Sequence, residues 1–237
     1  MQEILHGAGM VVLYFIIAAS TAFACRMRIS IPDELFRKAL HFILLGSYPV
    51  FLFAFETWWR SGLLVILLEI LIYPILAFFE RFNNYTSVTT ERKKGEFKRS
   101  LLLAFTMLAV AIAVCWGWLN DRLLVLACMY VWGVGDAFAA LVGKRFGRHK
   151  IRRKGVDPRK SVEGSLAMFL TSWTTVTIVL LCRGGLPPAG YVLISAAGAA
   201  VCTLVELHTP NGMDTVTCPS AALVTILPLV TLFGGLA

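Results

Sequence analysis

The sequence predicts an all-α, polytopic membrane helix bundle of about eight transmembrane helices, with both termini outside. Three observations predict it. Of 237 residues, 58% are hydrophobic and only 15% are charged, where a soluble domain carries roughly 25% charged residues. The apolar residues fall into eight runs, at about 4–25, 40–55, 63–79, 101–118, 123–142, 166–181, 191–205 and 218–233. Finally, the 22 Lys and Arg residues are distributed unevenly between the loops.

The loop after the first run holds four bases (Arg26, Arg28, Arg37, Lys38) and the loop after the third holds six (Arg81, Arg92, Lys93, Lys94, Lys98, Arg99). The loop after the fifth holds nine: Lys144, Arg145, Arg148, Lys150, Arg152, Arg153, Lys154, Arg159 and Lys160. The other side has Arg60, Arg122 and Arg183. A 19-to-3 division that alternates with the runs supports eight spans and places the basic loops in the cytoplasm. The net charge of +8 therefore reflects topology first. It excludes nucleic acid as the expected partner, because a basic face beside a bilayer meets anionic lipid.

Each element has its own justification. The first run lacks a basic stretch before it and reads as a span, not a cleaved signal. Before the second, Ser30-Ile-Pro32-Asp33 reads as a helix start with Ser30 as cap. Glu34, Arg37, Lys38 and His41 then recur at i, i+3, i+4 and i+7, on one helical face at the membrane boundary. A Glu–Arg pair with snorkelling bases accounts for that stripe; so does a polar face aimed into the bundle. Glu69 lies inside the third run and receives no role. Runs shorter than roughly 20 residues are expected to be tilted or extended by their flanks. The six cysteines form no CxxC pair and read as free thiols acting as small hydrophobes. Asn84-Tyr-Thr86 fits a glycosylation sequon, which its predicted cytoplasmic side makes irrelevant. One membrane domain is expected over 1–237, without low-complexity segments or persuasive repeats.

Chemistry concentrates in three places. Asp136 sits within the fifth run, and burying an acid there costs about 2.5–3.5 kcal/mol or more. That cost calls for a cation, a metal or a water-filled site. Ala139, Ala140, Gly143 and Gly147 follow Asp136 along its helix, which permits a ligand's close approach or small-xxx-small helix packing. Next, Lys160 precedes Ser161, a cap for the sixth span. A helix N-terminus offers unpaired N–H groups to phosphate, Gly164 permits backbone approach, and Glu163 can pair with loop bases or help to hold a metal. Last, Glu206-Leu-His208-Thr-Pro-Asn-Gly212-Met-Asp214 has no Lys or Arg. Two acids there suit a phosphate site if Mg²⁺ bridges them; a surface loop with an Asn-Gly turn is the simpler alternative. No Gly-x-x-x-x-Gly-Lys-[Ser/Thr] pattern occurs, so a nucleotide site here is not a P-loop.

Arg37-Lys38-x-x-His41, Gly135-Asp136-x-x-Ala-x-x-x-Gly143-x-x-Phe-Gly147, Lys160-Ser-x-Glu163-Gly164-Ser165 and Glu206…Asp214…Pro219 together resemble the CTP-dependent polyprenol/dolichol, phytol and diacylglycerol kinases. The resemblance runs from about Glu34 to Pro219 in motif order. Phosphatidate cytidylyltransferases share that superfamily, but the Asp-Arg-x-Asp-Ser signature of the transferases is missing. Thr215 departs from the Asn common after this Asp in the kinases.

The resemblance implies a CTP-dependent lipid-alcohol kinase; the basic loops set its site at the cytoplasmic face, and small size and the lack of a targeting segment lead us to expect a bacterial inner membrane. It implies phosphate contacts from Arg37, Lys38 and Lys160, and Mg²⁺ held by Asp136 and Asp214 with Glu163 or Glu206 assisting. Gly143, Gly147, Ser161 and Gly164 would line the CTP site, and His41 or a carboxylate would take the hydroxyl proton. Two rivals are a cytidylyltransferase making CDP-lipid and pyrophosphate, and a transporter passing a lipid phosphate or anion through a basic cavity.

Overall fold

The computed structural model describes residues 2–81, 95–153, 155–209 and 212–235. The bases Arg92, Lys93, Lys94 and Lys154 and the Asn84–Thr86 sequence fall outside the described residues. Eight helices are long and apolar enough to cross a membrane. They are α1 (Gln2–Arg28), α2 (Asp33–Phe53), α3 (Trp58–Phe79), α4 (Glu96–Ala111), α5 (Arg122–Phe146), α6 (Val162–Arg183), α7 (Pro188–His208) and α8 (Asp214–Leu232). Each apolar run seen in the sequence coincides with one of them, although the runs 40–55 and 218–233 pass the end of α2 and α8 by two residues and one, and 101–118 continues beyond α4. Every helix begins before its apolar run, because polar and basic flanks continue a helix into the interface without losing backbone hydrogen bonds.

Three local features depart from the sequence reading. Helix α2 starts at Asp33 with Pro32 in the cap position and no side-chain cap. Its first turn is closed by Phe36 N–H donating to Pro32 O (3.0 Å), so Ser30 lies upstream and does not cap. Asp33 instead accepts from Arg26 Nη2 at 3.0 Å. Helix α4 continues as a π-helical segment, Ile112–Trp118, a wider turn that hydropathy does not encode. The basic loop 147–161 is folded: Lys150 and Ser161 form an isolated antiparallel bridge, with Ile151 N–H donating to Lys160 O (3.1 Å) and Val162 N–H to His149 O (2.9 Å).

The chain forms two compact units, Met1–Ala113 and Val114–Ala237. In the first, α1 packs on α2, α2 on α3 and α3 on α4. Its core holds Phe36, Tyr48, Phe51, Leu52, Phe55, Phe105 and Leu108, all buried, and Phe51 meets Phe105 edge-on at 6.1 Å. Helices α1 and α3 keep most of their apolar surface outward, as expected where lipid is the solvent. Glu69 is satisfied within the unit by the Thr106 hydroxyl, at 2.8 Å. Bases and acids mark the two ends. Arg60 pairs with Glu3 at one end; at the other, Arg26 meets Asp33 and Lys98 meets Glu80.

In the second unit α5 is the most deeply buried helix and packs on α6, α7 and α8. Its first turn is capped by Asp121, which accepts from Leu124 N–H at 3.1 Å. Asp121 also receives Arg183 Nε at 2.5 Å, while Arg183 donates to the Gly184 and Gly235 carbonyls. One nearly buried guanidinium thus joins the start of α5, the end of α6 and the turn after α8. Between α5 and α6 the Ser172 hydroxyl donates to Val131 O at 2.6 Å. A Cβ at Gly135 would come within 2.3 Å of that hydroxyl, so the glycine admits an interhelical hydrogen bond. All six cysteines are free, as expected.

Candidate functional site

The opposite end of the second unit gathers most of the residues singled out from the sequence. Helix α5 delivers Asp136 about three turns before its basic end. Helix α6 begins where the folded loop returns, with Ser161 as its N-cap. The Ser161 side chain accepts from Gly164 N–H at 3.2 Å, the cap the sequence predicts. The two helices touch closely here. A Cβ on Gly164 would lie 2.9 Å from Ala139 O and 3.3 Å from Gly143 Cα, and one on Gly147 would lie 2.6 Å from Ser161 Oγ. Gly143, Gly147 and Gly164 therefore let α5 and the α6 cap meet backbone to backbone. That packing stands beside the ligand approach expected of them, and it brings the Lys160–Ser161 corner against the Asp136 helix.

Lys160 reaches across to the C-terminal end of α7. Its ammonium lies 3.0 Å from Glu206 Oε1 and also donates to the Glu206 carbonyl. The pair is largely withdrawn from solvent, at 18% and 13% side-chain exposure, so it is screened less than an exposed ion pair. Glu206 lies within electrostatic range of Asp136 and Asp214 as well as Lys160. Asp214 opens α8, and its Oδ2 accepts from the indole N–H of Trp132 at 3.2 Å. Trp132 is buried and lies one turn before Asp136 on α5. The sequence reading overlooked Trp132, because a tryptophan in an apolar run reads as packing.

Glu163 is engaged differently. It accepts from His149 N–H at 3.1 Å and contacts His149 Nδ1 at 2.6 Å, fastening the folded loop to the start of α6. The loop base it pairs with is this histidine. Within the loop, side-chain hydrogen bonds from Arg159 hold the Asp157 carboxyl down to about 2. Arg148, Arg152 and Arg153 are exposed.

The remaining candidates lie in the first unit, on α2. Arg37 pairs with Glu34 and lies 3.9 Å from Glu96. The Glu–Arg pair expected from spacing is therefore present, yet Arg37 Nε is buried and lacks a hydrogen-bond partner among the described residues. Lys38 is buried and His41 half-buried.

Among the described residues, no three His, Cys, Asp or Glu side chains stand close enough together to form a metal cage on their own. The donor chemistry at Asp136, Glu206 and Asp214 nevertheless fits Mg²⁺. That ion takes hard oxygen ligands and is usually held by one or two carboxylates, with substrate phosphates completing its shell.

The fold and these residues define a polytopic membrane protein with an acid–lysine cluster at one end of a four-helix unit. By sequence the chain belongs to the cytidylyltransferase family, whose model matches residues 4–237. Within it the chain is similar to phytol kinases. It is 30% identical over 206 residues to "Phytol kinase" of Synechocystis sp., covering 79% of this chain and 76% of that protein. It is 27% identical over 223 residues to "Probable phytol kinase, chloroplastic" of Triticum aestivum, covering 87% and 70%. "Probable phytol kinase 1, chloroplastic" of Oryza sativa subsp. japonica is 28% identical over 218 residues, covering 86% and 66%. No solved structure matches.

Proposed function

We propose that this protein is a CTP-dependent lipid kinase that phosphorylates a membrane lipid alcohol of the polyprenol, phytol or diacylglycerol type. The products are a lipid monophosphate and CDP. The observation that carries the reading is the convergence of Lys160, Glu206, Asp136 and Asp214 at one end of the second unit, in a chain similar over most of its length to phytol kinases.

Asp136 and Asp214, assisted by Glu206 or Glu163, would hold Mg²⁺, whose charge offsets that of the triphosphate. The chain's own groups do the rest. Lys160 holds phosphate oxygens, and the resemblance gives Arg37 and Lys38 the same task; Arg37 Nε, buried and without a hydrogen-bond partner among the described residues, supports its part, since a buried donor without an acceptor is costly unless a ligand supplies one. Ser161 fixes the start of α6, and Gly143, Gly147 and Gly164 keep the nucleotide side of the site narrow. His41 or a carboxylate takes the proton from the lipid hydroxyl. In phosphoryl transfer the protein contributes mainly positioning and charge stabilisation, and a basic–acidic cluster suits that task.

The site faces the cytoplasm in this reading, with both termini outside and the chain acting as one domain of a bacterial cytoplasmic membrane. The 19-to-3 division of Lys and Arg between the loops supports that orientation, and the three outer bases have local partners. Arg60 pairs with Glu3, Arg183 with Asp121, and Arg122 stacks over Trp116 at 4.2 Å, so each has a local structural task.

A cytidylyltransferase reading is favoured by the description of the matching family, and labelled CTP separates the two. A kinase moves γ-phosphate label into lipid and leaves cytosine label in water-soluble CDP. Cytosine label in lipid, with pyrophosphate released, would establish transferase chemistry instead.

A further inference from the structure

We propose that Trp132 is a positioning residue of the phosphoryl-transfer site: its indole N–H fixes the orientation of the Asp214 carboxylate relative to Asp136. The inference rests on the reading of Asp214 as a metal-holding acid. Three observations carry it. The Trp132 Nε1 to Asp214 Oδ2 contact is 3.2 Å. It joins residues 82 positions apart, on two helices that pack against each other. Trp132 has 2% exposure and precedes Asp136 by four residues, so both lie along one face of α5.

A carboxylate at the first position of a helix can turn about two side-chain bonds, and each hydrogen bond it accepts narrows that choice. An indole N–H is a donor only, so it engages Asp214 Oδ2 as acceptor and thereby restricts the direction in which the carboxylate presents its charge. The rigid ring is itself held by the core. In this way α5 supplies one acid directly, as Asp136, and sets the direction of the second through Trp132. Partners of this kind, one bond removed from the ligand, typically govern metal affinity or activity by about 10- to 100-fold.

The test uses full-length protein purified in detergent, with Mn²⁺ as the probe. Mn²⁺ binding is read by electron paramagnetic resonance, and the Mg²⁺ concentration for half-maximal rate is measured alongside the KM for lipid. Trp132→Phe removes the N–H and keeps an aromatic ring. It should weaken Mn²⁺ binding and raise the Mg²⁺ requirement, each by about 10-fold or more, with the lipid KM unchanged. Trp132→His, which retains a ring N–H, should recover part of both. Site-specific benzothienylalanine at 132 replaces the N–H by sulfur in a near-identical shape, so it reports on the hydrogen bond even if Phe packs badly. Wild-type Mn²⁺ binding in the benzothienylalanine protein would overturn the proposal. So would equal losses in Phe and His variants that benzothienylalanine does not share, because the ring's bulk would then be what matters. Asp214→Asn is read separately: if it leaves Mn²⁺ binding and turnover intact, the role of Asp214 itself is wrong, whatever Trp132 does.

Discussion

Asp136 stands out in the sequence because an acid is costly to bury in an apolar run, although Glu69 shows that a neighbouring hydroxyl can satisfy such an acid. Asp136→Asn keeps size and removes charge. Turnover should be nearly abolished with membrane insertion normal, because a hard cation loses an anionic ligand; residual activity near wild type in a lipid-phosphorylation assay would remove the residue from the mechanism. The bases divide by environment in a way composition hides. Lys160 is withdrawn and contacts Glu206, whereas Arg152 is exposed on the folded loop. Lys160→Ala should therefore cost about 1–3 kcal/mol of transition-state stabilisation, roughly 5- to 150-fold in kcat/KM. Arg152→Ala should cost little, and equal mild effects at both would assign the loop's charge to topology alone. The Lys160–Glu206 and Trp132–Asp214 contacts were not legible. They join residues 46 and 82 positions apart, and neither spacing carries a helical period that would signal contact.

At the scale of the element, hydropathy located all eight spans because a membrane helix must supply an unbroken apolar surface of sufficient length. It failed at the ends, where polar residues are equally at home inside or outside a helix. Ser161 was recognised as a cap because its hydroxyl sits where an apolar run begins. Ser30 misled for the same reason, since Pro32 lets the helix begin two residues later. The folding of the 147–161 loop also escaped notice, because its dense positive charge reads as a solvated segment. The glycines of α5 and α6 make the strongest prediction here. Gly164→Ala would drive a Cβ against the Ala139 carbonyl at 2.9 Å, and backbone cannot swing aside as a side chain can. It should destabilise the protein by about 1–3 kcal/mol, seen as a lower midpoint in thermal unfolding in detergent. Gly155→Ala, with no neighbouring atom within 4 Å but a left-handed backbone, should disturb the loop and leave helix packing intact.

For the whole molecule, the alternation of charged loops fixes which helix ends share a side, and each unit obeys it. Arg60 and Glu3 meet at one end of the first unit, while Arg37, Glu34 and Glu96 meet at the other. In the second unit Asp121, Arg183 and Gly235 share one end, and Lys160 and Glu206 share the other. Single cysteines placed in a cysteine-free chain should therefore label from the cytoplasm at Arg153 and Gly95, and from outside at Gln2 and Gly185. Labelling of Arg153 from outside intact cells would invert the orientation. The contact between Lys160 and Glu206 carries one more consequence. The protein already pairs this acid with its own ammonium, so at the proposed site a nucleotide phosphate that engaged Lys160 would displace a partner and leave Glu206 available. By the same exchange, a cation at Glu206 would set Lys160 loose. Thermodynamic linkage makes the two effects equal: each ligand must raise the other's affinity by one common factor. Lys160→Met should shrink that factor towards the value set by cation and nucleotide pairing in free solution.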